Sequence, residues 1–184
     1  HALVHQRKVR RVDAEIGRLR AAPWYAVDRT HQRGLQRAAR GDTEATAELT
    51  DAFDGPLPIG TGGRRGACGP GTNRMNVAVL RETAQGLANA MRDEGVPMRA
   101  AVVYDTRRDS KPFAAAVSAQ LQACGVDVLL VDEPRPTPLL SHIVRQRGCG
   151  AGVVISASHN PPGDNGIKIY GPDGAQVLGR RDRA

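Results

Sequence analysis

Between residues 73 and 155, stretches of helical periodicity alternate with short apolar runs of strand length, and this alternation constrains the fold more than any other feature. The spacing predicts helices over 73–94 and 110–123, and a third that opens at Pro136-Thr137-Pro138 and runs to about residue 147. Strands are predicted over 99–104, 126–131 and 150–155. Such an order builds a three-layer α/β/α domain around a mixed, mostly parallel sheet. Ligands in that architecture sit at the carboxyl ends of strands. Three polar segments fall at such ends or where the domain begins: 60–71, 105–110 and 156–165.

Ahead of this domain the pattern is different. Residues 2–22 carry Leu3, Val4, Val9, Val12, Ile16 and Leu19 at roughly helical intervals until Pro23 interrupts them. Two further helical pieces are predicted at 29–40 and 43–53, the second starting at Asp42-Thr43 with Glu44 where the helix dipole favours negative charge. Gly55, Pro56 and Pro58 mark a boundary. The expected organisation is a helical N-terminal extension over 1–56, packed on a main domain over 57–184.

A net charge of +7 invites a nucleic-acid reading. Composition weakens it. Lys8, Lys111 and Lys168 are the only lysines, the arginines are scattered among Ala, Gly and Asp, and aromatic residues make up 3% of the chain, too few to form a base-stacking platform. Cys68, Cys124 and Cys149 lack any paired metal-ligand spacing and read as reduced thiols of a cytoplasmic protein. No apolar run approaches the roughly 20 residues needed to cross a bilayer, so no membrane partner is expected. A first residue of His suggests a fragment or a processed product.

The strand predicted at 150–155 delivers Ser156-Ala157-Ser158-His159-Asn160-Pro161-Pro162, a loop presenting hydroxyls, an imidazole and an amide on a backbone stiffened by two prolines. A hydrolase nucleophile elbow would read Gly-x-Ser-x-Gly, and Ser158 is flanked differently. A rigid hydroxyl among donors, with Lys168 on the next strand, suits a phosphate-bearing group. The second polar segment, Gly60-Thr61-Gly62-Gly63-Arg64-Arg65-Gly66, lets backbone N–H groups approach an anion and adds forked arginine donors. It lacks the Gly-Lys-Ser/Thr ending of a Walker loop. The third contains Asp105, Arg107, Asp109 and Ser110, with Asp109 or Ser110 expected as an ordinary helix N-cap.

Together these segments resemble the first domain of the α-D-phosphohexomutase superfamily, which includes phosphoglucomutase, phosphomannomutase and phosphoglucosamine mutase. The family pattern Thr/Ser-x-Ser-His-Asn-Pro corresponds to residues 156–161, and Asn-Gly-x-Lys to Asn165-Gly166-Ile167-Lys168. The early Phe-Gly-Thr-x-Gly-x-Arg-Gly resembles residues 59–66, with Ile59 and Arg64 departing from the usual Phe and Leu. Pro70-Gly71-Thr72-Asn73-Arg74-Met75-Asn76 and Gly174-Ala175-Gln176 resemble the long type-2 branch.

The resemblance implies an intramolecular phosphotransferase acting on a sugar phosphate through a phosphoserine at Ser158 and a sugar bisphosphate intermediate. It implies catalytic roles for Ser158, His159, Lys168, Arg65 and Arg107, and phosphate contacts from Thr61, Gly62, Gly63, Arg65, Asn160 and Asn165. Mg²⁺ would be held through the phosphate of Ser158, and a sugar 1,6-bisphosphate would act as activator. The family's Asp-Gly-Asp-x-Asp-Arg metal loop and its sugar-reading Gly-Glu-x-Ser-Gly loop belong to later domains and do not occur in these 184 residues. The chain alone is therefore expected to be a phosphate-accepting half-site with little mutase turnover, completed by C-terminal domains. Phosphopentomutase and phosphoglucosamine mutase stay open as alternatives, as does a non-catalytic phosphate-binding remnant of the fold.

Overall fold

A computed structural model describes residues 29–60 and 63–177. The helix expected at 2–22 lies outside the described residues. Helices α1 (Arg29–Ala39) and α2 (Thr43–Ala52) come first. The Asp42 carboxylate caps α2 by accepting the Ala45 N–H at 3.0 Å and also takes the Arg37 Nε–H at 2.7 Å. The cap satisfies one of the orphan donors at the helix start. The end of α2 is tied to the main domain: the Ala52 carbonyl accepts the Asn73 N–H at 3.0 Å, and Asp51 pairs with Arg74.

The main domain continues through β1 (Ile59–Gly60), β2 (Gly63–Ala67), α3 (Val77–Asp93), β3 (Arg99–Tyr104), α4 (Ser110–Ala123), β4 (Asp127–Leu130), α5 (Thr137–Gln146), β5 (Ala151–Ile155) and β6 (Asp164–Tyr170). One sheet holds all six strands in the order β1-β2-β6-β5-β3-β4. β3 pairs in parallel with both β4 and β5, and the β5–β6, β6–β2 and β2–β1 pairings are antiparallel. Parallel neighbours require crossover connections, and α4 and α5 supply them.

Side chains on β3 alternate between two cores, as a period of two requires. Ala100, Val102 and Tyr104 face α3 and α4, packing with Leu80, Phe113 and Val117. Ala101 and Val103 face α5, packing with Leu140 and Val144. The layers are thus α3 and α4, the sheet, then α5. Gly152 on β5 has a structural reason: a Cβ there would lie 2.7 Å from Val144 and 3.0 Å from Leu140, so glycine lets α5 lie close to the sheet.

One strand was not foreseen and one helix start is corrected. Within the polar segment 60–71, residues 63–67 form a strand hydrogen-bonded along β6. Its glycines and arginines hide the alternation that marks a strand. The first long helix starts at Val77 rather than at residue 73, because Asn76 is an extended N-cap whose side chain accepts the Val79 N–H at 3.1 Å. Residues before it are engaged elsewhere: the Met75 N–H donates to the Ala67 carbonyl at 2.9 Å.

Candidate phosphoryl-transfer site

Register brings the site together. Tyr104 pairs with Ile155, so the chain segments leaving β3 and β5 lie side by side, joined by the Asp105 N–H donating to the Ile155 carbonyl at 3.1 Å. On the far side of β5, the Ser156 N–H donates to the Gly166 carbonyl at 2.9 Å, and Gly166 in turn pairs with Arg65 of β2. Ser156, Gly166 and Arg65 therefore form a row across three strands at the carboxyl end of β5. Gly166 must be glycine here, because a Cβ would sit 2.8 Å from the carbonyl oxygens of both Arg64 and Ser156.

Ser158 stands two residues beyond that row and is exposed. Its φ is +56°, and it is the only non-glycine with positive φ among the described residues. A left-handed serine costs roughly 1–3 kcal/mol and persists only where its surroundings enforce it. The Ser158 N–H donates to Ser156 Oγ at 3.0 Å, and the Asn160 N–H to the Ala157 carbonyl at 3.1 Å. Asn160 Nδ2 donates to Asp164 Oδ2 at 2.9 Å, closing the loop from within. His159 is exposed beside Ser158.

Arg107 lies under this loop with its side chain 14% exposed. Its Nη1 donates to the carbonyls of Pro161 (2.7 Å) and Asp164 (2.9 Å), and its Nη2 to those of Ser158 (2.9 Å) and Asn160 (2.7 Å). Asp105 faces the other edge of the guanidinium, with Oδ2 3.4 Å from Nε. Asp105 Oδ1 accepts the Arg107 N–H at 3.0 Å and the Ser110 hydroxyl. Asn165 is fully buried; its Nδ2 donates to Ser110 Oγ at 3.0 Å and its Oδ1 accepts the Gly166 N–H at 2.8 Å. Asp109 occupies the N-cap position of α4 as one of the two expected residues, but its side chain makes no cap bond, and Ser110 is drawn into the Asp105–Asn165 network.

Lys168 and Arg65 share the α5 side of the sheet. Neither side chain forms a hydrogen bond or ion pair among the described residues, and burial, reinforced by the Arg65 charge, lowers the Lys168 pKa from its ordinary value. A cation held in that way favours the arrival of an anion. Cys68, beside the loop, is pushed up to about 11 by burial and by Asp109 and Asp164, which keeps it a neutral thiol rather than a nucleophile. Gly63 pairs with Lys168, whereas Thr61 and Gly62 lie outside the described residues.

The arrangement thus offers one exposed hydroxyl with two cations on neighbouring strands, suited to accepting a phosphoryl group. It does not by itself make a Mg²⁺ site. Among the described residues no three His, Cys, Asp or Glu side chains are grouped to hold a metal, and the carboxylates nearest Ser158 in sequence and hydrogen bonding are engaged by Asn160, Ser110 and the Arg107 backbone. Ser110, Ser156 and Gly166 were given no site role from the sequence, and Asp105 was singled out there without one. Their signal was present as the end-of-strand position of Asp105 and the glycine of Asn-Gly-x-Lys.

Residues 57–184 match the family model described as phosphoglucomutase/phosphomannomutase, alpha/beta/alpha domain I. A phosphoglucomutase of Staphylococcus haemolyticus is 39% identical over 74% of this chain and 25% of its own length; one from Staphylococcus aureus (strain bovine RF122 / ET3-1) is 38% identical with the same coverage. The chain spans about a quarter of the length of these relatives. A crystal structure from Thermus thermophilus, described as a phosphomannomutase, superposes with a TM-score of 0.63 at 32% identity, covering 69% of this chain and 28% of that one. A phosphoglucomutase/phosphomannomutase family protein from Burkholderia thailandensis gives a TM-score of 0.59 at 26% identity, covering 68% and 28%. With the match covering most of its residues and the fold agreeing, the chain belongs to the phosphoglucomutase/phosphomannomutase family, its residues 57–184 matching domain I.

Proposed function

We propose that residues 57–184 are the phosphoryl-accepting domain of a phosphosugar mutase. The observation that carries this reading is exposed, left-handed Ser158 just past the carboxyl end of β5, with Lys168 on β6 and Arg65 on β2 forming no hydrogen bond or ion pair among the described residues. Ser158 Oγ attacks the phosphorus of a sugar bisphosphate, its own proton leaves, and the sugar oxygen departs with the electron pair and takes up a proton. The phosphoserine then passes its phosphoryl group to the free hydroxyl of a sugar monophosphate, whose proton leaves, to give a bisphosphate; after that bisphosphate reorients, Ser158 takes the phosphoryl group from its other end and the isomeric monophosphate departs. Lys168 and Arg65 neutralise charge on the phosphoryl oxygens, and His159, exposed next to Ser158 in sequence, would move the serine proton. Thr61, Gly62, Gly63 and Asn160 contribute phosphate contacts.

A hexose phosphate is the proposed substrate, a reading supported by the names of the relatives. Mg²⁺ would supply further charge neutralisation at the phosphoserine when bound, with carboxylates contributed by the remaining three quarters of a complete mutase. Among the described residues, the helical segment 29–52 acts as an N-terminal extension, for which the Asp51–Arg74 pair is the supporting contact. The proposed setting is the cytoplasm, in keeping with three free cysteines; no described helix is long and apolar enough to cross a membrane.

The test is to incubate the 184-residue protein with Mg²⁺ and glucose 1,6-bisphosphate, measuring intact mass and, separately, conversion of glucose 1-phosphate. The expected result is one added phosphoryl group with negligible turnover. Absence of any added phosphoryl, or turnover at the rate of a complete enzyme, contradicts the reading.

A further inference from the structure

We infer that Arg107 is a positioning residue that holds Ser158 in its left-handed conformation, and that it does not contact the transferring phosphoryl group. A guanidinium has four hydrogens on Nη1 and Nη2. Here they are matched by four loop carbonyls, those of Ser158, Asn160, Pro161 and Asp164, all within 2.9 Å. The fifth, on Nε, faces Asp105. No donor is left for a phosphate unless the loop lets go.

The carbonyls explain the strain at Ser158. Four acceptors from a seven-residue segment converge on one planar cation, so their peptide planes must tip inward together. Ser158 meets that demand with φ of +56°, and its side chain is left exposed to solvent. The cost of a left-handed serine is offset by hydrogen bonds to a charged donor, each stronger than a neutral one. Asp105 fixes the clamp from behind, since its Oδ1 holds both the Arg107 N–H and the Ser110 hydroxyl. Lysine cannot replace this clamp, because an ammonium is a point donor with three hydrogens rather than a planar fork.

The catalytic consequence rests on the reading of Ser158 as phosphoryl acceptor, whereas the clamp itself does not. The experiment is NMR on the 184-residue protein and on its Arg107→Ala and Arg107→Lys variants. It follows the Ser158 Cα and Cβ shifts that mark a left-handed residue, and hydrogen exchange at the Ser158, Asn160 and Asp164 amides. In both variants the left-handed shifts are lost and these amides exchange roughly tenfold faster or more, while core amides of β3 and β5 stay protected. Millimolar guanidinium restores the shifts and the protection in Arg107→Ala, and methylammonium does not. If Arg107→Ala fails to fold, Arg107→Lys carries the comparison. Retention of the left-handed shifts in a folded variant, or no rescue by guanidinium in a folded Arg107→Ala, overturns the inference. Failure of phosphoryl acceptance with these shifts intact counts against the function and leaves the clamp standing.

Discussion

Asn165 Nδ2 donates to Ser110 Oγ at 3.0 Å, a buried hydrogen bond that joins the start of β6 to the first residue of α4 across 55 positions of sequence. Ser110 passes the contact on to Asp105, and so to the backbone of Arg107. Breaking one member leaves a buried polar group without its partner. Asn165→Ala and Ser110→Ala are each expected to lower stability by about 1–3 kcal/mol, with the double variant losing less than the sum. Urea unfolding of the four proteins measures both, and strict additivity would show that the network is not coupled.

Gly166 sits where β2, β5 and β6 meet, and an added Cβ would lie 2.8 Å from two carbonyl oxygens and 2.9 Å from Arg65 Cγ. Those carbonyls belong to strand pairings and cannot move cheaply. Gly166→Ala is expected to destabilise by about 1–3 kcal/mol, with amide shift changes concentrated at Ser156 and Arg65. Melting temperature and an NMR amide map check this; a neutral melting temperature would count against the close packing.

Arg64 points to the opposite side of the sheet from Lys168, into a cavity of about 420 Å³ shared with Ile59, Leu87, Met91 and Ile169. Its Nε and Nη1 are buried without a hydrogen-bond partner among the described residues, and its Nη2 lies 3.6 Å from the mostly exposed Glu82. Incompletely paired buried charge is costly, and apolar replacement relieves the cost. Arg64→Leu is expected to stabilise the domain by about 1 kcal/mol or more in urea unfolding. A loss of stability would mean that the guanidinium has stronger partners than these.

Lys168 has its pKa lowered from 10.5 mainly by burial, then by Arg65, with Asp105 opposing. The unfolded chain therefore holds this proton more tightly than the native one. Below the native pKa the burial cost of the ammonium is fully present; it is relieved as pH rises through the window between that value and 10.5. Lys168→Met is expected to be more stable than the parent at pH 7, with the gap closing as pH approaches the top of that window. Urea midpoints across pH measure it, and a gap that stays constant would contradict the assignment.

Much of the fold was legible because β3, β5, α4 and α5 carry uninterrupted apolar periodicity. Asp42 and Glu44 likewise marked the start of α2 correctly, since capping chemistry is local. β2 was hidden because Gly63-Arg64-Arg65-Gly66 has no apolar alternation, and its pairing with β6 is set by tertiary register. At the site, the hydroxyl loop stood out from its residue types. The placement of Arg107 and Asn165 did not, since four carbonyl contacts and a buried amide depend on segments more than 50 residues apart. Sequence shows that an arginine is present and leaves open which acceptors claim it.

Ser158, rather than neighbouring Ser156, is the proposed store of the phosphoryl group. Ser156 Oγ accepts the Ser158 N–H and its residue is buried, whereas Ser158 is exposed. The direct measurement is fragmentation mass spectrometry of the peptide spanning both serines, after incubating the protein and its Ser158→Ala variant with glucose 1,6-bisphosphate and Mg²⁺. Phosphate on Ser158 alone, and none in the variant, is the expected result. Phosphate on Ser156, or an equally modified Ser158→Ala protein, would contradict it.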